Sequence, residues 1–315
     1  MSVGRPARRD GKGLSTTAMA RDPVLVKPKG LKQLNRVPPG ERLAVLAEGA
    51  QLIAASIDVL MTDMTSIEQA GRHQSAAVLR SFAEEEAAKI LIMLDLARSG
   101  WKDHAVLNTA AKSFYDHLAR GLYVRAYDGS PADLAEVRRM VDLWRRRFYL
   151  DGPNDVDWIF GNEVFAEREE RLYVDLVEGE DGGFRWTGPA ARAAIFEGPQ
   201  GIRFPVSRAV RLAGAMHRIG LLTERGLSAT RTTWDGITHT DKTHWQEVRA
   251  LNVAVLKQLL DGTATEGLAN DVRFVCEHWI FPLTTLDLTL SDVAIEDLGR
   301  KRDEWLARQV GAPGW

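Results

Sequence analysis

The strongest constraint on this chain is a helical rhythm that runs almost unbroken from residue 39 to residue 127. Leu43, Leu46, Ile53, Ile57 and Leu60 recur at spacings close to three or four or their sums, and at about 100° per residue such positions share one buried stripe. This predicts a first helix from residue 39 onward. A second is expected over about 67–98, stopped at Ser99-Gly100, because glycine takes the left-handed conformation that closes a helix. A third is expected over roughly 104–127, with Leu107, Ala110, Phe114, Leu118 and Leu122 turned inward. DGSPADL (128–134) then reads as a turn and a new helix, with Ser130 capping and Pro131 in first position.

The middle of the chain changes character. DGPNDVDW and EGEDGGFRWTGP are rich in turn residues, and RLYVDLV (171–177) between them reads as the one short strand. Helical patterns return after Pro189, at roughly 206–225, 241–261, 265–280 and 291–309. Residues 1–40 carry RPARRDGKG and KPKGLKQLNRVPPG without periodicity and are expected to form a flexible basic arm. The expected fold is mainly α: a helical bundle over 41–189 with a small irregular or β insert, and a helical C-terminal extension over 190–315 to which the sequence assigns no role.

Forty-five per cent apolar residues can build a substantial core, and a net charge of −2 from 41 basic and 43 acidic residues gives no global field for polyanions. A single cysteine, Cys276, rules out an internal disulfide and fits a reducing compartment, so the cytoplasm is expected. No apolar run approaches bilayer length, and no membrane association is expected. Glycine-rich nucleotide loops, HExxH and GxSxG are all missing from the sequence, so no cofactor is expected. The nearest approach to a metal cluster is THTDKTHW, with His239, Asp241 and His244 and with Asp235 upstream; the same residues serve equally for helix capping.

Polar groups fall inside the apolar pattern of the second helix. Val78, Phe82, Ile92, Met93 and Leu96 share a face that also contains Glu85 and Lys89, while Arg80, Glu84 and Asp95 take the opposite, solvated side. Desolvating two charges costs several kcal/mol per ion unless they are paired and hydrogen-bonded. The expectation is a buried Glu85–Lys89 pair flanked by Glu86, either fixing helix register or joining a polar network with the third helix. There, Ser113, His117, Arg120 and Val124 share one side, Lys112 precedes His117 by five residues, and Asp116 stands one turn before Arg120. His117 reads either as a satisfied structural residue or as an acid–base group.

These residues carry a resemblance. FAEEEAAKILIMLD (82–95) resembles the glutamate-glutamate-x-x-lysine helix of the AbiV family of abortive-infection proteins. A histidine with a basic residue three positions on follows, here His117 and Arg120; REERLYVDL and FRWTGP are similar to that family's later segment. The matches span roughly 42–190. AbiV proteins are similar to the wider HEPN superfamily of helical bundles, many of them metal-independent RNases working as dimers, with an Arg a short gap before a His. Here Lys112 stands where that Arg is expected, a point donor in place of a planar fork. Arg273 with His278, and Arg211 with His217, meet the spacing outside the matched region. The resemblance implies an antiphage protein, a homodimer, RNA as substrate, no metal, and a cleft lined by His117, Lys112 and Arg120, with Arg273 and His278 as the alternative pair. The competing reading is a non-catalytic protein that arrests growth by binding a phage or host protein.

Overall fold

The computed structural model describes residues 30–101, 104–147, 149–151, 157–159, 162–178, 182–189, 206–262 and 266–292. The helix expected over 291–309 and the basic stretch before residue 30 lie outside the described residues.

Gly71, at φ 74°, divides the long opening periodicity. The first helix, α1 (Arg42–Gln69), turns back through Ala70-Gly71-Arg72 into α2 (His73–Ser99), so the second helix starts later than its pattern suggested. Gly100 at φ 68° ends α2, as expected. From Ala87 to Arg98 every residue of α2 except Lys89 is buried, the mark of a helix enclosed on all sides. It packs against α1 and against the helices at 104–113, 117–128, 163–172, 208–218 and 224–234.

The expected third helix is two. Asp116 takes extended backbone angles and its carboxylate accepts from Ala119 N at 2.9 Å, capping a fresh helix, α4 (His117–Asp128), after α3 (His104–Ser113). The apolar stripe survives the break: Leu107, Ala110, Leu118 and Leu122 are buried. The next helix, α5 (Leu134–Trp144), is capped by Asp133, accepting from Glu136 N at 2.8 Å, not by Ser130. Ser130 instead accepts from Arg208.

The insert holds more structure than expected. Strand β1 (Tyr149–Asp151) pairs antiparallel with β2 (Asp157–Ile159). Helix α6 (Glu163–Leu172) takes the first part of the stretch read as a strand, and β3 (Asp175–Glu178) takes only its end, pairing with β4 (Phe184–Thr187) so that Leu176 faces Trp186. Asn162 fixes the start of α6: its side-chain oxygen caps Val164 N and Phe165 N, while its amide donates to the Trp144 and Arg146 carbonyls. Residues Gly30–Arg36 form a 3₁₀ helix against α3, with Leu34 buried and Leu31 N donating to the Tyr115 hydroxyl.

Beyond residue 205 come α7 (Arg208–Arg218), α8 (Glu224–Trp234), α9 (Trp245–Leu260) and α10 (Ala269–His278). Gly220, at φ 78°, cuts the expected 206–225 helix short. The apolar pattern gave no warning of α8; Thr223 caps it. Helices α7 and α8 pack directly on α2, and one hydrophobic cluster runs from Leu34 to Leu288 across both sides of the insert. By length and composition alone α1 is apolar enough to cross a membrane, with mean hydropathy 1.7 over 18 residues, a property hidden from a search for unbroken runs by Glu48 and Asp58. Its inner face, including Leu46, Ala50 and Ile57, lies in the shared core.

Candidate functional site

Two charged clusters grow from α2, ten residues apart. The first centres on Glu85, whose carboxylate is 14% exposed. Its oxygens accept from His117 Nδ1 at 3.0 and 3.1 Å, from Arg120 Nη2 at 2.9 Å and from Arg168 Nε at 2.9 Å. Because a carboxylate only accepts, Nδ1 of His117 carries the proton in this contact and Nε2 is left as the acceptor. Arg120, also donor-only, lies with Nη2 2.7 Å from Nδ1 and 3.3 Å from Nε2; with Nδ1 protonated, the acceptors open to this guanidinium are Nε2, the Glu85 carboxylate and the Phe114 carbonyl.

The local sequence explains these positions. The Asp116 cap puts His117 in the first turn of α4, where the leading N–H groups have no carbonyl one turn back and the helix end carries partial positive charge. The imidazole is 43% exposed while Arg120, three residues on, is 7% exposed. Arg168 arrives on α6 because Gly121 lets α6 approach α4 closely: a Cβ at Gly121 would collide with Val164. Arg125 reinforces the contact through Glu163 and Glu167. One turn beyond Arg168, Arg171 donates to Ser81 Oγ at 2.8 Å and lies 4.0 Å from Glu84. Burial raises the Glu84 carboxyl above its usual range against the pull of Arg171.

The expected Glu85–Lys89 pair does not form. Lys89 pairs with Glu86 on the partly exposed flank of α2 and approaches the Phe114 ring. The face assignment was rotated: Phe82 is exposed, Arg80 and Glu84 are partly buried, and Asp95 is fully buried. A helix enclosed on all sides has no single apolar stripe from which to read a solvated face. Asp116 caps α4 and does not pair with Arg120. Lys112 is exposed at the end of α3 and makes no described contact with His117. Of the expected residues, the structure gathers Glu85, His117 and Arg120, and adds Arg168.

The alternative pairs are not joined. No hydrogen bond links Arg273 to His278 or Arg211 to His217 among the described residues. His278 stands edge-on to Phe274 at 4.4 Å, and burial with nearby Arg208 and Arg211 holds its pKa below the usual value. His217 Nδ1 is buried without a partner. In the segment weighed as a metal site, His244 caps α9, Asp241 pairs with Arg138, and His239 packs on Trp234. Among the described residues no group of three His, Cys, Asp or Glu is placed to hold a metal.

The second cluster is sealed. Arg98 is clasped between the rings of Trp279 and Trp234, at 3.8 and 4.2 Å, and donates to Asp95, Asn252 and the Ile280 carbonyl. Asp95 also accepts from Tyr123 and Leu283 N. Burial outweighs pairing for both ions: the Asp95 carboxyl is pushed up to about 6 and the Arg98 guanidinium down.

Residues 45–194 match the HEPN_AbiV family model, AbiV. This stretch, a little under half of the chain, is an AbiV-type HEPN region. No curated protein and no solved structure matches the chain. All four residues of the Glu85 cluster lie inside the matched region. In this AbiV-type region sequence reasoning missed Arg168, although REERLYVDL contains it; the contact with Glu85 spans 83 residues and leaves no local periodic signal.

Proposed function

We propose that this protein is an antiphage abortive-infection RNase, cleaving RNA without a metal in a site built on Glu85, His117, Arg120 and Arg168. The observation that carries the proposal is the Glu85–His117 contact at 3.0 Å: a carboxylate fixes the tautomer of a half-exposed imidazole and leaves Nε2 to accept a proton, the arrangement of an oriented general base. In the reaction, Nε2 takes the proton of an RNA 2′-hydroxyl as its oxygen attacks the adjacent phosphorus. The 5′-oxygen leaves and takes up a proton, and a 2′,3′-cyclic phosphate remains. Arg120 is committed to Glu85 and positions the histidine. With the N-terminus of α4 capped by Asp116, the phosphate falls to Lys112 and to the terminal nitrogens of Arg168, which have no partner among the described residues. The compartment is the cytoplasm, and the working form a homodimer that completes the cleft, as the family resemblance implies.

The test is incubation of the purified chain with total RNA in the presence of a chelator. Wild type cleaves; His117→Ala loses about 10²–10⁴ of the rate, the usual worth of a positioned proton-transfer group, at unchanged melting temperature. Lys112→Arg, which restores a planar phosphate fork, maintains or raises cleavage. Cleavage that persists in folded His117→Ala rejects the site. One observation favours the second reading, a non-catalytic interaction protein: the β3–β4 hairpin carries Phe184 and Trp186 at 69% and 73% exposure beside exposed Val174 and Leu176, an apolar patch of the kind that docks proteins. No cleavage by wild type, with phage protection lost on Trp186→Ser, would favour that class.

A further inference from the structure

A second concave site lies away from the Glu85 cluster and shares no residue with it. Helices α1, α7 and α10 enclose a cavity of about 520 Å³, within the range that holds small ligands. Its lining carries three arginines, Arg211, Arg218 and Arg273, and three carboxylates, Asp58, Asp271 and Glu277, so it is neutral overall and presents groups of both signs. Arg218 and Asp271 neutralise each other through two hydrogen bonds of 2.8 Å, which raise the arginine's pKa and lower the aspartate's. Arg211 and Arg273 face the same cavity, and neither has an ion-pair partner among the described residues, although Asp58 and Glu277 line the same space. The Arg211 guanidinium rests on the Phe274 ring, 4.5 Å from its centroid, and is thereby held in place without losing its hydrogen-bonding edge. Gly214 also lines the cavity, and a Cβ there would press on Arg218 Nη1 at 3.2 Å.

Two guanidinium groups that make no ion pair among the described residues, in a lining that also holds Asp58 and Glu277, offer planar forks that suit phosphate oxygens. Asp58 and the Asn270 side chain supply acceptors for hydroxyl or amino groups on the rest of a ligand. A bare anion would leave those acceptors unused. We infer that this cavity binds a small phosphate ester bearing hydroxyl groups, of the mononucleotide class, with its phosphate on Arg211 and Arg273 and its hydroxyls on Asp58.

The experiment is calorimetric titration of the full chain with AMP, adenosine and inorganic phosphate. The account expects saturable AMP binding, and affinity at least about tenfold weaker for adenosine and for phosphate, the equivalent of losing one good charge-assisted contact. The double variant R211A/R273A, both side chains being exposed and free of ion pairs, retains the wild-type melting temperature and loses AMP binding. Asp58→Asn weakens AMP but not phosphate. Arg139→Ala, an exposed arginine on α5, changes nothing. No saturable AMP binding, AMP binding intact in the double variant, or phosphate binding as tightly as AMP would each overturn the inference. None of these outcomes depends on RNA cleavage, so this site and the His117 site stand or fall separately.

Discussion

The two charged clusters on α2 use nearly the same parts to opposite ends. Each sets a carboxylate against arginine and adds a titratable ring: Glu85 with Arg120, Arg168 and His117, and Asp95 with Arg98 and Tyr123. Around Asp95 the partners close on all sides. Two tryptophans clasp the guanidinium, Asn252 and the Ile280 carbonyl take up its donors, and the ring is a phenol whose pKa burial drives far above neutrality. No group there is open to an outside molecule: Asp95 and Arg98 are both buried. Around Glu85 only Arg120 is buried; Arg168 is partly exposed and the imidazole is left part-way in solvent. Exposure of one ring, rather than the presence of charge, separates an arrangement that joins elements of the fold from one that can do chemistry.

The sharpest way to break that comparison is to remove a charge from the sealed cluster. Arg98→Ala leaves Asp95 buried without its partner and is expected to cost roughly 3–5 kcal/mol, the range for a broken buried pair, read as a fall in urea midpoint. A loss of less than about 1 kcal/mol would show that the cluster is not sealed. The second effect is a pH dependence. The Asp95 carboxyl titrates at about 6 in the fold against about 4 when unfolded, so the native state binds the proton more tightly. The resulting stabilisation is complete below about pH 4 and is lost as pH rises through about 6, a change on the order of 2–3 kcal/mol. The difference in unfolding free energy between wild type and Asp95→Asn should therefore shift across that window and be flat above it. Smaller again is Glu85→Ala, which leaves the buried Arg120 and the partly exposed Arg168 without their carboxylate and is expected to cost about 1–3 kcal/mol. Lys89→Met, on the flanking Glu86 pair, should stay within about 0.5 kcal/mol.

Much of the fold was legible because it rests on periodicity. The stripes of α1 and of α3 with α4 predict their buried residues, and Gly100 marks a real stop. The failures come where one local signal outweighs another. Asp116 caps a new helix inside a continuous stripe, Asp133 outcompetes Ser130 as a cap, and α6 occupies residues with strand-like composition. Three of the four residues of the candidate site were legible in the same sense. Glu85, His117 and Arg120 stood out as polar groups against an apolar pattern, yet the partner chosen for Glu85 was the neighbour one turn away. The actual partners come from α4 and α6, and a sequence read helix by helix does not contain that pairing. Asp95 looked like an ordinary surface charge because, Tyr123 apart, the residues that enclose it and its partner Arg98 lie more than 130 positions later.

The central claim is that the Glu85 cluster acts in chemistry while the Asp95 cluster holds the fold. Its most direct test is Glu85→Gln, measuring RNA cleavage rate and melting temperature on the same preparation. The amide oxygen can still accept from His117, but the charge that orients and supports the imidazolium is gone. The account predicts cleavage reduced by about 10²-fold or more, with a melting temperature lowered by no more than a few degrees. A rate unchanged from wild type, or a rate lost only in proportion to lost fold, would contradict it.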